Sequence, residues 1–384
     1  MKFWKIFRYE LAYLARRIST WLYLVVLLAF VMGMNQVIKP GDGVYPNNTF
    51  LITALTVLGG LIWLVIGASI AGEAAARDVQ TRIHPLVYTT PVSRSSYLSG
   101  KFMAAFAVNA LLLLSLPVGI LLFFYLPGLD SLRGIDQGEL LPFRPTVYLN
   151  VYCLIALPNA FVATALQFAL AKLTRQVAAS YMASLLLAVF PQMIAVGAAN
   201  LFGNWDLLKV LDPVGVAGII GNELQTWTPS EKNTRQVTLE GMYLWNRILW
   251  LGVALGLLWL TYLRFSRTNP ETNRWWSRFS WRPKVQAKKA ETAIVSASAI
   301  SVPQVRRGFG FATHFHQTLT IAWDSFGKIA RHPMGLTLVS AICLASAAFS
   351  DQIIAEFGIP LLPTTQQVVN YLAAPVSSVN TPGW

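Results

Sequence analysis

Charge disappears from this chain over long intervals, and the intervals set its plan. A helix rises about 1.5 Å per residue, so about 20 apolar residues cross a hydrocarbon core of about 30 Å. Seven stretches meet or approach that length: 18–38, 50–72, 102–126, 148–171, 177–200, 243–263 and 333–350. Backbone polar groups in lipid must be satisfied within their own segment, so the stretches predict helices and not strands. The predicted class is an all-α integral membrane protein. Ahead of the first stretch, 7–17 reads as a basic amphipathic helix on the membrane interface, leading into a retained span and not a cleaved signal. Between the second and third lies 73–101, the first sizeable polar segment, with Glu73, Arg77, Asp78, Arg82, Arg94 and Lys101. It is expected to be a partly helical loop that begins at Glu73, where a helix dipole favours a carboxylate. Pro85 and Pro91 are expected to stiffen the turn after it.

Composition agrees with the pattern. Of 384 residues, 55% are hydrophobic and 12% charged, against about 25% charge in soluble domains. The excess of Lys and Arg, 30 against 17 acids, would suggest nucleic acid on a soluble domain; here topology explains it, and no nucleic-acid partner is expected. With the N-terminus inside, 23 of the 30 basic residues and 6 of the 17 acids fall on the inner side. That asymmetry predicts a plasma-membrane protein with a cytoplasmic N-terminus and, after seven spans, an extracytoplasmic C-terminus. Arg247, in the sixth stretch, is expected to snorkel to the interface. Cys153 and Cys343 both lie in apolar stretches, so neither a disulfide framework nor a zinc site is implied.

The segments between stretches differ in kind. Residues 127–147 and 201–242 are outer segments, and within the second DPVGVAGIIG (212–221) reads as a short interfacial or re-entrant helix. The chain divides into a bundle (1–265), a basic Ser/Ala/Lys-rich cytoplasmic linker (266–313) and a third part (314–384) with an amphipathic helix, the seventh stretch and a tail. Trp275, Trp276 and Trp281 among Arg274, Arg278 and Arg282 suit adsorption to an anionic leaflet. The third part weakly repeats the opening, as if a second, truncated copy of the bundle began there.

Signatures of catalysis are missing. No phosphate-binding G-x-x-x-x-G-K-[ST] occurs, because Gly100-Lys101 and Gly327-Lys328 are followed by Phe and Ile. There is no HExxH and no GxSxG, and His314 with His316 lacks neighbouring carboxylates for a metal site. No enzymatic activity and no cofactor are expected of the chain itself. Arg247 aside, the apolar stretches carry no charge, which disfavours ion-coupled transport. Asn109, Asn159, Thr164, Gln167 and Gln192 are expected to bond to neighbouring helices. Gly59, Gly60, Gly67 and Gly72 are expected to allow close packing along one helix, and Pro117, Pro158 and Pro191 to kink theirs.

Glu73, Arg77 and Asp78, then His84-Pro85-Leu86, then Thr90-Pro91-Val92-Ser93-Arg94 with Tyr97 and Gly100-Lys101, resemble the cytoplasmic loop between the second and third spans of ABC-2 type transporter permeases. The similarity extends over the first 265 residues in the order of amphipathic helix, spans and long outer segment. It implies a six-helix ABC-2 permease bundle followed by the first helix of a second half, as in larger members that end in an M1 aminopeptidase-like domain. It further implies the permease subunit of an ABC exporter, coupled to a separate ATP-binding subunit that holds ATP and Mg. The coupling residues it points to are Glu73, Arg77, Asp78, Arg82, Pro91 and Arg94. Membrane lipids, and either a second copy or a second permease half, are the other implied partners. The alternative is a membrane-anchored accessory or signalling subunit that acts through 266–332.

Overall fold

The computed structural model describes residues 2–38, 43–89, 91–126, 128, 140–203 and 206–265, with 310, 317–320 and 323–324 beyond them. The chain divides into two units, 1–305 and 306–384, and every helix named below belongs to the first. Position 310 aside, the linker 266–313 lies outside the described residues. So do the Trp–Arg patch within it, the seventh apolar stretch, the tail and the segment 129–139.

Of the described residues 83% are helical and none is in a strand. The order is α1 (Lys2–Ala15), α2 (Ile18–Val37), α3 (Thr49–Gln80), α4 (His84–Thr89), α5 (Arg94–Tyr125), α6 (Pro145–Thr174), α7 (Ala178–Phe202), α8 (Asp206–Leu211), α9 (Pro229–Thr234) and α10 (Gly241–Arg264). Five of them, α2, α3, α5, α6 and α10, are long and apolar enough to cross a membrane. In α7, the counterpart of 177–200, the apolar run among the described residues is Ala178–Val189.

α3 is the central helix and packs against α2, α5, α6 and α7. Its small residues permit this. A Cβ on Gly59 would stand 2.7 Å from Leu116 of α5, and one on Gly72 would collide with Ser180 of α7. Gly60 departs from the expected pattern: a Cβ there meets nothing within 4 Å. It borders a cavity of about 20 Å³, shared with Trp63, Asn159 and Val214, which is room for about one water. Hydrogen bonds fix the close approaches. Ser180 and Ser184 of α7 donate to the carbonyls of Ala68 (2.7 Å) and Leu64 (2.7 Å), and Gln167 of α6 donates to Leu64 O (3.0 Å) and Ser184 Oγ (2.9 Å). Asn109 of α5 donates to Thr164 of α6 at 3.0 Å. The polar residues expected to join helices do so, except Gln192, whose side chain lies outside the described ones.

Within α6, Val151–Ala156 form a π-helical turn just before Pro158. Pro158 has no N–H to give Leu154, and the helix takes up the mismatch one turn earlier, with Leu157 N–H reaching back to Tyr152 O. Pro117 and Pro191 lie inside α5 and α7.

The end of the bundle remote from α1 is closed by short elements. Asp212 accepts from the backbone N–H groups of Val214 (2.9 Å), Gly215 (2.9 Å) and Gly218 (3.1 Å), and the π-helical turn Val216–Glu223 follows. This is the short helix expected at 212–221, and its Ile219 and Ile220 pack with Ala54, Val57 and Ile155. Arg247 corrects the expectation of snorkelling. It is 6% exposed and donates to Asn159 Oδ1 at 2.8 Å, because α10 turns its Asn246, Arg247, Ala254 and Thr261 face into the bundle.

Candidate functional site: a buried charge cluster at the α1 end

The segment 73–101 is not one loop. α3 continues unbroken to Gln80 and α5 begins at Arg94, so the reversal is only 81–93 with α4 inside it. Glu73 therefore lies well inside a helix and not at a helix start, and the dipole argument for it fails. At 32 residues each, α3 and α5 are about 48 Å long, longer than a hydrocarbon core of about 30 Å. Their surplus at this end carries the charges that the sequence placed in a loop.

Those charges meet inside the protein. Asp78 of α3 pairs with Lys101 of α5 at 2.8 Å and accepts a hydrogen bond from Tyr97 at 2.6 Å. Arg77 pairs with Glu10 of α1 at 2.7 Å, and Lys101 reaches the same carboxylate at 3.3 Å. Lys172, at the end of α6, donates to Ala75 O at 3.0 Å and lies over the rings of Tyr97 and Phe265, 4.9 and 5.0 Å from their centroids. Tyr97 and Phe265 stack at 5.8 Å, which ties the end of α10 to the same point. Glu10, Asp78, Lys101 and Lys172 are only 2–7% exposed. Five helices, α1, α3, α5, α6 and α10, thus converge on two carboxylates and three cations.

A second layer surrounds the first. Glu73 forms an ion pair with Arg17 and accepts from Tyr13 Oη at 3.0 Å. The Arg77 guanidinium stacks 4.0 Å from the Tyr13 ring. Lys2, at the other end of α1, donates to the carbonyl of Pro91. α1 thereby holds both the root and the far side of the 81–93 reversal. Gly100 lets it approach, since a Cβ there would lie 2.8 Å from Ile6.

The six residues singled out from the sequence fall into two groups. Glu73, Arg77 and Asp78 belong to the internal network. Arg82 and Pro91 are exposed on the reversal and Arg94 at the first position of α5, together with Ile83 and Leu86, which is 74% exposed. Arg82 has φ 58°, the left-handed conformation that ends α3, a position more often held by glycine. The chain matches no family model and no curated protein.

Sequence reasoning missed Glu10, Tyr97, Lys101 and Lys172 as members of the site, although Tyr97 and Lys101 stood in the segment it singled out. One signal was available for Glu10. Phe3, Phe7, Glu10 and Leu14 share one helical stripe, and an acid on the apolar face of a basic helix needs a cation opposite it. Lys172 carried no comparable signal, because a lysine closing an apolar stretch reads as a membrane boundary. Among the described residues no group of His, Cys, Asp and Glu could hold a metal ion, and the cluster offers no nucleophile–base pair. What it can do is keep five helix ends in one fixed relation.

Proposed function

We propose that the chain is the membrane subunit of an ATP-driven exporter of the ABC-2 type, and that the reversal 81–93 seats on a separate ATP-binding subunit. The N-terminus and the charge cluster are on the cytoplasmic side of the plasma membrane. α7 serves as the fifth of six spans, and a second copy or a second permease half completes the translocation path. ATP and Mg belong to the partner.

One observation carries this reading: a short exposed reversal stands on two helices whose ends are fastened to each other and to α1 by buried charges. Such an element moves only together with the bundle. A lever needs that property, and an ordinary solvated loop does not. Arg82, Leu86, Pro91 and Arg94 form the contact surface, while Glu73, Arg77 and Asp78 act behind it by holding α3, α5 and α1 in place.

The test is co-purification with a candidate ATP-binding subunit from the same cell. Replacing Arg82, Leu86 and Arg94 by Ala should abolish capture of that subunit, and stimulation of its ATPase by the permease, without changing the unfolding midpoint of the chain. Full capture by the triple variant overturns the reading.

A further inference from the structure

α1 has a second face that the charge cluster does not use. Its bundle side holds Phe3, Ile6, Phe7, Glu10 and Leu14, with Glu10 and Leu14 fully buried. The opposite side presents Lys5 and Arg8 with Trp4 and Tyr9, the aromatics 55% and 66% exposed, and Arg16, the first residue past the helix, is exposed beside them. Glu10 is the single acid of the first 17 residues, and it is turned inward to Arg77 and Lys101. The outward face is therefore basic and aromatic, with no carboxylate on it.

The position of that face is fixed by the corner between α1 and α2. Two residues separate Ala15 from Ile18. Thr20 Oγ1 donates to Leu14 O at 2.7 Å, and Trp21 Nε1 donates to Ala15 O at 3.0 Å. The first turn of α2 thus satisfies carbonyls that the end of α1 would otherwise leave open. α2 continues as a helix apolar enough to span, with Ile18, Trp21 and Leu22 exposed, and so α1 ends where a span enters the hydrocarbon. A helix held at that depth has its outward face among lipid headgroups. Exposed Trp and Tyr are favoured at that level, and Lys and Arg are attracted there by anionic lipid.

We infer that the outward face of α1, with Lys5 and Arg8, and Arg16 at the corner after it bind the anionic headgroups of the surrounding bilayer. Lipid charge thereby acts on the same helix that secures the 81–93 reversal through Glu10 and Lys2. The inference requires α2 to cross a membrane but does not depend on the exporter reading. Aromatic side chains interleaved with the cations favour a lipid surface over an acidic protein surface, which would need no exposed Trp at headgroup depth.

The full chain in nanodiscs of phosphatidylcholine, with or without 30 mol% (about one lipid in three) phosphatidylglycerol, tests this by hydrogen–deuterium exchange over residues 2–15. Anionic lipid should slow exchange there on the order of tenfold, and screening by 0.5 M (roughly half-molar) salt should remove the difference. The triple variant Lys5→Gln/Arg8→Gln/Arg16→Gln should lose the response while α3 and α5 stay as protected as before, which shows that it is folded. Equal exchange in both lipids, or an undiminished response in the triple variant, overturns the inference. So does protection of α1 that appears only on adding the ATP-binding subunit, since the face would then belong to a protein.

Discussion

Lys172 places an ammonium where a carbonyl, a hydroxyl at 3.5 Å and two aromatic rings receive it. Its nearest compensation is the Asp78–Lys101 pair, joined to it through Tyr97. A buried pair contributes little net stability relative to apolar residues, but losing one partner strands the other charge and costs about 3–5 kcal/mol. Asp78→Asn should therefore destabilise by up to about that amount in equilibrium unfolding, because Lys101 loses its nearer carboxylate and keeps only Glu10 at 3.3 Å, while Tyr97, which also receives Lys172, loses its acceptor. Asp78→Asn combined with Lys101→Met should recover most of the loss. A double variant no more stable than the single one would mean that Asp78 acts through its Tyr97 hydrogen bond instead. Gly72 makes the complementary steric case. Gly72→Ala drives a methyl into Ser180, and overpacking of this kind costs roughly 1–3 kcal/mol. Adding Ser180→Gly should relieve the clash but recover only part of the unfolding midpoint, because the hydrogen bond to Ala68 O is lost with the side chain.

The helical elements were legible in the sequence because charge-free intervals and spans are the same physical object. The predicted boundaries 18–38, 148–171 and 243–263 agree with α2, α6 and α10 within a few residues. α3 and α5 were each read about eight residues too short at the same end. Hydropathy ends a span at its first charge, whereas a helix continues for as long as its polar groups find partners, and Arg77, Asp78 and Lys101 find them in one another and in Glu10. Partners 67 and 91 residues away in the chain leave no local pattern. The direction of Arg247 was misread for the same reason, since its partner Asn159 sits on another helix. An insertion can separate helix continuity from loop character. One Ala added between Ala75 and Ala76 rotates everything after it by about 100° and carries Asp78 away from Lys101. It should destabilise by about 3–5 kcal/mol. The same insertion between Ile83 and His84, in the exposed reversal, should cost less than about 1 kcal/mol. Equal losses at the two sites would return the whole of 73–101 to the status of a loop.

At the scale of the molecule the two ends of the bundle are chemically unlike. At the α1 end, cations outnumber acids, and they continue outward as Arg82, Arg94 and Arg264. The far end is closed mostly by bonds to amides and backbone groups, with Asp212 and Arg144 among the side chains that make them. Asn233 accepts from Tyr45 N at 3.0 Å, its carbonyl accepts from Arg144 at 2.7 Å, and Asn47 bonds to Tyr125 and to both backbone groups of Leu141. The charges at this end are answered locally, Arg235 by Glu231 and Lys209 by Asp206, while Asp212 and Arg144 bond to backbone groups, so the closure draws less on a leaflet or a partner. A basic rim attracts both, which is why the exporter reading puts partner and nucleotide at the α1 end. The arrangement can be tested without any partner, by single cysteines in a Cys153→Ser/Cys343→Ser background. In intact cells a membrane-impermeant maleimide should label Ser230→Cys, exposed at the start of α9, and leave Arg82→Cys untouched until the membrane is permeabilised. The reverse pattern would put the 81–93 reversal on the side without ATP. A lever there would have no nucleotide to drive it, and the exporter reading would fail although the helices and their buried charges stood as described.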